Sequence, residues 1–312
     1  MRRRRLTRGH GHRVDVAGAV GATGGVVAIV YGLLQAASHP WGSWQVLVPL
    51  LGGVGLLLAM VAWEARAPEP LIPLRFFTNR TRVTSNVASL ALLAAFIGYV
   101  VLLTWYMQQV LGYSPLRTGL LYLPLGVGIG AGIGVCTALM PRLGVKVMLV
   151  VGFLGSAAGL LVASFIRADS TYPDAILPGL IVFGVFSGIC YPGLINGALH
   201  QTTGQDSGLG SGVQTAMQQI GAALGLSTLV TLALRYAGAR ISHGVPAAVA
   251  QTDGYALAFR VGAALLAATA VGVLLLLEHV TAKPRTALAE VPSGQEPAVP
   301  VSQPGGADCH NR

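Results

Sequence analysis

Charged side chains are scarce in this chain of 312 residues, where Asp, Glu, Lys and Arg together make up only 10%. A soluble domain averages about 25%. The shortage excludes an ordinary soluble globular protein, and the hydrophobic content of 53% and mean hydropathy of +0.66 agree with that exclusion. We therefore expect the function to lie in a path through lipid-embedded helices rather than in a soluble pocket.

Acidic residues are especially few, and none of the eleven is predicted to lie in the middle of an apolar stretch. They fall at predicted helix ends, in loops or in the tail. Proton coupling requires an ionisable group within the membrane. The distribution of acids therefore argues against proton coupling by this chain alone.

Cysteine and intramembrane histidine are also too sparse to support catalytic or metal chemistry. The three cysteines, Cys136, Cys190 and Cys309, have no spacing typical of a metal site or a disulfide framework. Ser211 stands out in a glycine-rich segment, but His200 is placed at a helix end and no intramembrane histidine could activate the serine. We predict a protein that is not an enzyme and that has no metal site and no cofactor.

Long apolar stretches are what the chain has instead. Each reaches or exceeds roughly 18 residues, about what a helix needs to cross the hydrocarbon core of a bilayer. No stretch alternates with the period of two that a membrane β-barrel requires. The sequence predicts an all-α polytopic membrane protein with eight transmembrane helices. The predicted spans are residues 16–37, 45–63, 86–107, 117–139, 145–166, 175–199, 211–234 and 256–278.

The net charge of +9 follows the predicted topology, so we do not assign it to nucleic-acid binding. With the amino terminus inside, fifteen Lys and Arg residues lie on the cytoplasmic side and five outside. Arg260 is counted among the five. Positive charge is retained in the cytoplasm. We therefore predict a multi-pass protein of the plasma membrane with both termini cytoplasmic.

Composition divides the chain into five segments. Pro68, Pro70 and Pro73 break helix between the second and third spans and mark the main boundary. The predicted segments are a basic cytoplasmic leader (1–15), a two-helix region (16–64), a cytoplasmic link (65–85), a six-helix bundle (86–281) and a disordered tail (282–312).

Glycines recur at four-residue spacing within the apolar stretches. Gly126, Gly130 and Gly134 form one row, with Gly128 and Gly132 beside it. Because no strand precedes them, a phosphate-binding loop is excluded. A helix face without side chains lets a neighbouring helix approach closely, so we predict helix packing at this row.

Three motifs, in this order and spacing, carry a resemblance to a known family. Residues 108–124 read QQVLGYSPLRTGLLYLP, residues 141–152 read PRLGVKVMLVVG, and residues 218–225 read QQIGAALG. They are similar to the fourteen-helix drug:proton antiporter branch of the major facilitator superfamily, the EmrB/QacA type. Gln218 stands where that family usually has Arg.

The resemblance implies that residues from Asp15 to Glu278 correspond to helices seven to fourteen of a fourteen-helix fold. It implies efflux of drug-like or other amphipathic small molecules by proton antiport, with substrate passing between two six-helix bundles that rock about it. This chain would then be an incomplete half in a lipid bilayer. It would meet substrate and protons in the complete fold, together with a separate N-terminal half or a second copy. A non-transporting membrane assembly or interaction protein is the alternative.

Polar and aromatic residues within the spans are the candidates for the substrate path, because aromatic walls suit apolar cations. The same residues could instead hydrogen-bond between helices or anchor at interfaces. The candidates are Tyr99, Trp105, Tyr106, Gln109, Tyr122, Tyr191, Asn196, Gln214 and Gln218. Arg142, Gly144 and Lys146 belong to the motif that resembles the family's cytoplasmic signature loop. We expect a gating and topology role for the two cations, with a plain positive-inside anchor as the alternative.

Overall fold

The computed structural model describes residues 16–36, 39–64, 79–199 and 207–277, and within these ranges it contains helices and no strand. The leader, most of the cytoplasmic link and the tail lie outside the described residues. The helices are α1 (Val16–Gln35), α2 (Trp44–Glu64), α3 (Arg80–Trp105), α4 (Pro115–Leu121), α5 (Leu123–Ala163), α6 (Leu177–Ala198), α7 (Ser207–Ser242) and α8 (Ala247–Leu276). Short π-helical turns, Tyr106–Val110 and Tyr172–Ile176, follow α3 and precede α6.

Helix α5 reverses direction in its middle. A straight helix of its 41 residues would be about 60 Å long, roughly twice the hydrocarbon thickness. Pro141 lies in it, and Gly144 has φ 79° and ψ 162°, a backbone conformation that a helix cannot hold and that favours glycine. We call residues 123–143 the first arm and residues 145–163 the second arm.

Both arms pack against α6, in opposite directions. On the first arm, Gly128 and then Gly132 approach the α6 backbone near residues 184–189, in the same chain direction. On the second arm, Gly159 lies beside Phe183 and Gly152 beside Cys190, in the opposite direction. Two antiparallel arms account for the two predicted spans 117–139 and 145–166.

Helix directions define two ends of the molecule. Ser85 near the start of α3 lies against Gly197 near the end of α6, and Tyr99 near the end of α3 packs on Phe183 near the start of α6. We call the end where α3 begins and α6 ends the Arg80 end. The opposite end, where α3 ends and α6 begins, is the Tyr106 end. Which end faces the cytoplasm stays a prediction from the charge count.

The eight predicted spans fall on α1, α2, α3, the two arms of α5, α6, α7 and α8. By length and composition, five helical stretches within the described residues can cross a membrane, with α4 and α5 counted as one, and two shorter apolar stretches lie in α1 and α2. The all-α prediction is confirmed for this part of the chain. Two helices begin before the predicted spans: α3 begins at Arg80, within the predicted link, and α8 begins at Ala247, ahead of residue 256.

The outer surface of these helices is apolar, as a lipid-embedded protein requires. Leu116, Val127, Phe165 and Leu275 are each more than 70% exposed. An apolar surface of this extent would aggregate in water, whereas lipid tails solvate it. This surface supports a membrane location.

An aromatic cluster joins three helices in the interior. The Tyr99 ring of α3 packs edge-on against Phe183 of α6 at 4.8 Å and Phe259 of α8 at 5.2 Å between centroids. All three residues are almost fully buried. Edge-to-face ring pairs stabilise by about 0.5–1.5 kcal/mol beyond the area they bury. The cluster joins α3, α6 and α8 in the interior of the bundle.

The α1–α2 hairpin packs on itself through glycines and contacts the bundle through α7. At Gly25 an added Cβ would lie 3.0 Å from the Gly53 carbonyl oxygen, so the two helices touch backbone to backbone. The Thr231 hydroxyl of α7 donates to the Leu33 carbonyl at 2.9 Å. One turn later on α7, Arg235 donates to carbonyls just beyond the end of α1.

Candidate substrate path

Three of the candidate residues connect elements at the Tyr106 end through their hydroxyls or rings. The Tyr106 hydroxyl donates to the Arg167 carbonyl at 2.6 Å, and the Tyr122 hydroxyl donates to the Val100 carbonyl at 2.8 Å. Tyr99 lies in the aromatic cluster. These contacts fasten α3 to the start of α5 and to the loop after it. They give each tyrosine a structural role in this bundle.

The other two candidates at this end differ in exposure. Trp105 is half-buried and packs on the hydrophobic core, whereas Gln109 is exposed on the π-helical turn. Of these five residues, Gln109 is the one whose polar group is free to meet a solute from the molecular surface.

A second set of candidates lies at the Arg80 end. The exposed Asn196 side chain donates to the Pro192 carbonyl at 2.8 Å, and its amide nitrogen is 3.9 Å from the Met140 sulfur. Tyr191 and Gln218 are half-buried. Gln214 is 6% exposed, and its amide nitrogen has no hydrogen-bond partner.

The structure therefore separates the nine candidates into two groups at opposite ends and does not gather them into one pocket. Between the groups, α3 and α7 are in backbone contact at Gly221 and Gly225. The assignment of the nine candidate residues to a substrate path stays a prediction.

The signature-loop residues lie at the Arg80 end, at the reversal of α5. Gly144 supplies the positive φ that turns the first arm into the second. Arg142 is exposed and Lys146 is partly exposed. The loop therefore presents two cations at the end of the bundle where α3 also begins with Arg80 and Arg82.

Sequence reasoning missed a cavity of about 460 Å³ at the Tyr106 end. Its walls combine one arginine and two carboxylates with small apolar residues. The lining residues are Ile166, Arg167, Ala168, Asp169, Val249, Thr252 and Asp253. The signal that could have found it is the true start of α8, which places Thr252 and Asp253 on a helix facing the loop after α5.

Asp253 forms an ion pair with Arg240 of α7 at 2.8 Å, with both side chains about 40% exposed. An ion pair this exposed stabilises by about 0–1 kcal/mol. We expect Asp253→Asn to lower the free energy of unfolding by less than about 1 kcal/mol, and to lower it less at high salt. Denaturant titration at two salt concentrations, with Asp174→Asn as the exposed control, measures this. A loss of several kcal/mol would contradict the surface character of the pair.

Across residues 16–36, 39–64, 79–199 and 207–277, no three His, Cys, Asp or Glu side chains are grouped as metal ligands would be.

Antiparallel apolar helices, close glycine contacts and a lipid-compatible surface define a polytopic α-helical membrane protein. Residues 7–226 match the Major Facilitator Superfamily, so the chain belongs to that family of membrane transporters.

Similar proteins include three from Streptomyces and Amycolatopsis species. The chain is 34% identical over 277 residues to the puromycin resistance protein pur8 of Streptomyces alboniger, covering 86% of this chain and 55% of that protein. It is 35% identical over 222 residues to the cephamycin export protein CmcT of Amycolatopsis lactamdurans, covering 70% and 46%. It is 30% identical over 220 residues to a lincomycin resistance protein of Streptomyces lincolnensis, covering 70% and 45%. The chain thus spans about half the length of the curated relatives it matches.

Proposed function

We propose that this chain supplies one half of a major facilitator exporter of drug-like, amphipathic small molecules. The observation that carries the proposal is its similarity to proteins named for resistance to, or export of, puromycin, cephamycin, lincomycin and tetracenomycin C. Antibiotics of this kind are the substrates we propose. The other half comes from the same longer polypeptide or from a separate chain.

We further propose that the chain corresponds to helices seven to fourteen of a fourteen-helix transporter. The support is the arrangement of a two-helix hairpin, α1–α2, followed by six spans from α3 to α8. Six-helix bundles of two inverted triplets are the halves of this fold. We place the Arg80 end in the cytoplasm, because Arg80, Arg82, Arg142 and Lys146 lie there.

Two exposed features support the proposal that a second half completes the transporter. Arg260 is exposed thirteen residues into α8, about 20 Å from the helix start, and has no partner among the described residues. A charge at such depth is costly in lipid and calls for water or an acidic partner. On the first arm of α5, Gly126, Gly130 and Gly134 face no atom within 4 Å. We propose that this arginine and this glycine row face the other half of the transporter.

Proton antiport is proposed for the complete transporter, with the coupling groups in the other half. The described acids outside the α1–α2 hairpin, namely Asp169, Asp174 and Asp253, lie at the Tyr106 end rather than at mid-depth. A carrier of protons at the centre of the membrane must then be supplied by the partner bundle.

The experiment is drug efflux from a susceptible bacterial host that lacks its own exporters. Three strains are compared: one with this chain alone, one with the amino-terminal half of the pur8 relative alone, and one with both. We expect lower accumulation of puromycin only where both halves are present. No reduction with both halves, despite confirmed membrane insertion of each, would favour the alternative of a non-transporting assembly protein. Efflux by the chain alone would contradict the half-transporter proposal.

Asn196 offers a test of the path itself. We expect Asn196→Leu to leave membrane insertion intact and to reduce efflux by the two-half transporter at least about fivefold, because its amide is the exposed polar group of α6 at the Arg80 end. The matched control is Ile195→Leu, at the neighbouring exposed position. Equal efflux by both variants would remove Asn196 from the path.

A further inference from the structure

The cavity at the Tyr106 end lies between two elements that are distant in the chain. One wall is the loop after α5, from Ile166 to Asp169, and the other belongs to the first two turns of α8, from Val249 to Asp253. Its volume of about 460 Å³ falls within the roughly 300–1,000 Å³ of small-molecule pockets. None of the nine path candidates lines it. The cavity is therefore a separate feature of the bundle.

Hydrogen bonds hold the loop wall of the cavity in place. The Arg167 amide donates to the Ser170 hydroxyl at 2.9 Å, and the Ser170 amide donates to the Arg167 carbonyl at 3.1 Å. The hydroxyl of the buried Tyr106 donates to the same carbonyl from beyond the end of α3. Because the turn is fixed by these bonds, a ligand does not have to order it on binding.

The α8 wall is fixed in the same way. Thr252 is 2% exposed, and its hydroxyl donates to the Ala248 carbonyl at 2.7 Å. One carboxylate oxygen of Asp253 accepts a hydrogen bond from Arg240 of α7 at 2.8 Å. The charge of Asp253 is therefore already balanced by α7.

Two charged side chains of the cavity have no ionic partner. Arg167 and Asp169 are both exposed, and the ion pair that the described part of the chain contains is Arg240–Asp253. Within that part, no cation pairs with the Asp169 carboxylate and no carboxylate pairs with the Arg167 guanidinium. The cavity thus offers one unpaired negative charge and one unpaired positive charge to a molecule inside it.

Apolar side chains make up much of the remaining lining. Ile166 and Ala168 come from the loop, and Val249 comes from α8. Ile166 is 5% exposed and Val249 is 39% exposed, so the lining extends from the interior to the surface. An apolar group that enters the cavity leaves water, which favours binding. Exposed charge pairs alone contribute little, so a ligand of this cavity needs an apolar part as well as charges.

We propose that this cavity binds a small amphipathic zwitterion, a molecule with an ammonium group, a carboxylate and an apolar side group. The ammonium pairs with Asp169, and the carboxylate accepts hydrogen bonds from the Arg167 guanidinium. The apolar group lies against Ile166, Ala168 and Val249. A simple cation would leave the arginine unpaired, and a simple anion would leave the aspartate unpaired. This inference is independent of the half-transporter proposal and of the drug that the transporter carries.

Binding of three matched compounds to the purified full chain in lipid nanodiscs tests the proposal. Free phenylalanine has the ammonium, the carboxylate and a phenyl ring, whereas phenethylamine lacks the carboxylate and 3-phenylpropanoate lacks the ammonium. Saturation-transfer difference NMR suits the weak binding that exposed charges imply, and nanodiscs without protein give the background. We expect phenylalanine to bind at least about fivefold more tightly than either analogue. Equal binding of all three compounds, or no binding above the background, would overturn the proposal.

Two charge variants assign the ends of the ligand. With Asp169→Asn, phenylalanine should bind no better than 3-phenylpropanoate, and with Arg167→Gln it should bind no better than phenethylamine. The matched controls, Asp174→Asn and Arg117→Gln, remove exposed charges at the same end that do not line the cavity. They should keep the preference for phenylalanine. An equal loss of preference in the controls would show general surface electrostatics, and the proposal would be wrong.

Val249→Trp tests whether the ligand occupies the cavity itself. Val249 is 39% exposed, so a larger side chain extends into the cavity without opening the core. We expect phenylalanine to bind at least about fivefold more weakly, because its ring loses the apolar contact. The control is Val261→Trp, since Val261 is 40% exposed on the same helix and lies outside the cavity. Unchanged binding to the Val249→Trp protein, folded and monodisperse, would overturn the proposal even if drug efflux by the complete transporter were established.

Discussion

Replacing Gly132 by Val is expected to prevent stable packing of α5 against α6. A Cβ at Gly132 would overlap the Val185 carbonyl oxygen and lie 2.9 Å from the Ile189 nitrogen. Both atoms belong to helix backbone, which cannot move aside as a flexible side chain can. Overpacking a close interface costs about 1–3 kcal/mol or more, and here the whole first arm must shift. We expect the apparent Tm of the purified protein to fall by at least about 5 °C, or the protein to be lost as aggregate.

The same helix contains its own control. Gly130 is two residues away, has the same chemistry and faces no atom within 4 Å. Gly130→Val should therefore leave Tm and the size-exclusion profile of this chain unchanged. Equal damage at both positions would show a helix-propensity effect rather than contact with α6, and equal tolerance would show that α5 and α6 are not in backbone contact. In the assembled two-half transporter, comparing the two variants also tests the proposed partner face, because Gly130 belongs to that face and Gly132 does not.

Replacing Arg235 by Met is expected to release the α1–α2 hairpin from the bundle. The Arg235 guanidinium donates to the Ala36 and His39 carbonyls, which follow the end of α1, and lies 5.5 Å from the centre of the Trp41 ring. Carbonyls at a helix end have no partner within their own helix, and hydrogen bonds from charged donors are worth about 1.5–3 kcal/mol each. Met keeps an apolar stem of similar length and removes all of these interactions.

Hydrogen–deuterium exchange is the measurement for this second prediction. We expect backbone amides of residues 33–47 to exchange at least about tenfold faster in Arg235→Met, while amides in α6 and α8 keep their rates. The control is Arg117→Met, because Arg117 lies at the same end and packs over the Tyr113 ring, away from α1. Unchanged exchange in residues 33–47 would mean that Thr231 and the apolar contacts hold the hairpin without the arginine.

Glycine spacing in the sequence predicted close helix packing on the first arm of α5, and such packing exists. Within this chain Gly128 and Gly132 approach α6, whereas Gly126, Gly130 and Gly134 face no atom within 4 Å. Both rows have the same spacing and composition. Only the position of α6 decides which face is covered, and that position depends on contacts far away in the sequence.

The position of Arg260 along its helix was likewise difficult to predict from the sequence. The last span was predicted to begin at residue 256, so Arg260 lay near its outer end and was counted among the outside charges, whereas α8 begins at Ala247. Polar residues such as Gln251, Thr252 and Asp253 lowered the local hydropathy and hid the first turns of the helix. The Arg240–Asp253 ion pair across α7 and α8 makes those turns compatible with a helix, and a sequence window does not reveal such a partner.

The candidate path residues show what residue type alone could predict and what it could not. Their residue types were a sound basis for expecting hydrogen bonds or ring contacts, and Tyr106 and Tyr122 make such bonds. Their distribution between two ends of the bundle could not be predicted, because it depends on the directions of α3, α6 and α7.

The sequence by itself determined the class of this protein: its apolar stretches are long enough to cross a bilayer, and lipid forces each one to satisfy its backbone groups as a helix. It also determined the family, because the motifs are local strings. Only the tertiary structure decided which glycine rows are covered and where Arg235 holds α1 to α7. Those outcomes arise from contacts between residues distant in the chain, and helical periodicity identifies a face without identifying what packs against it.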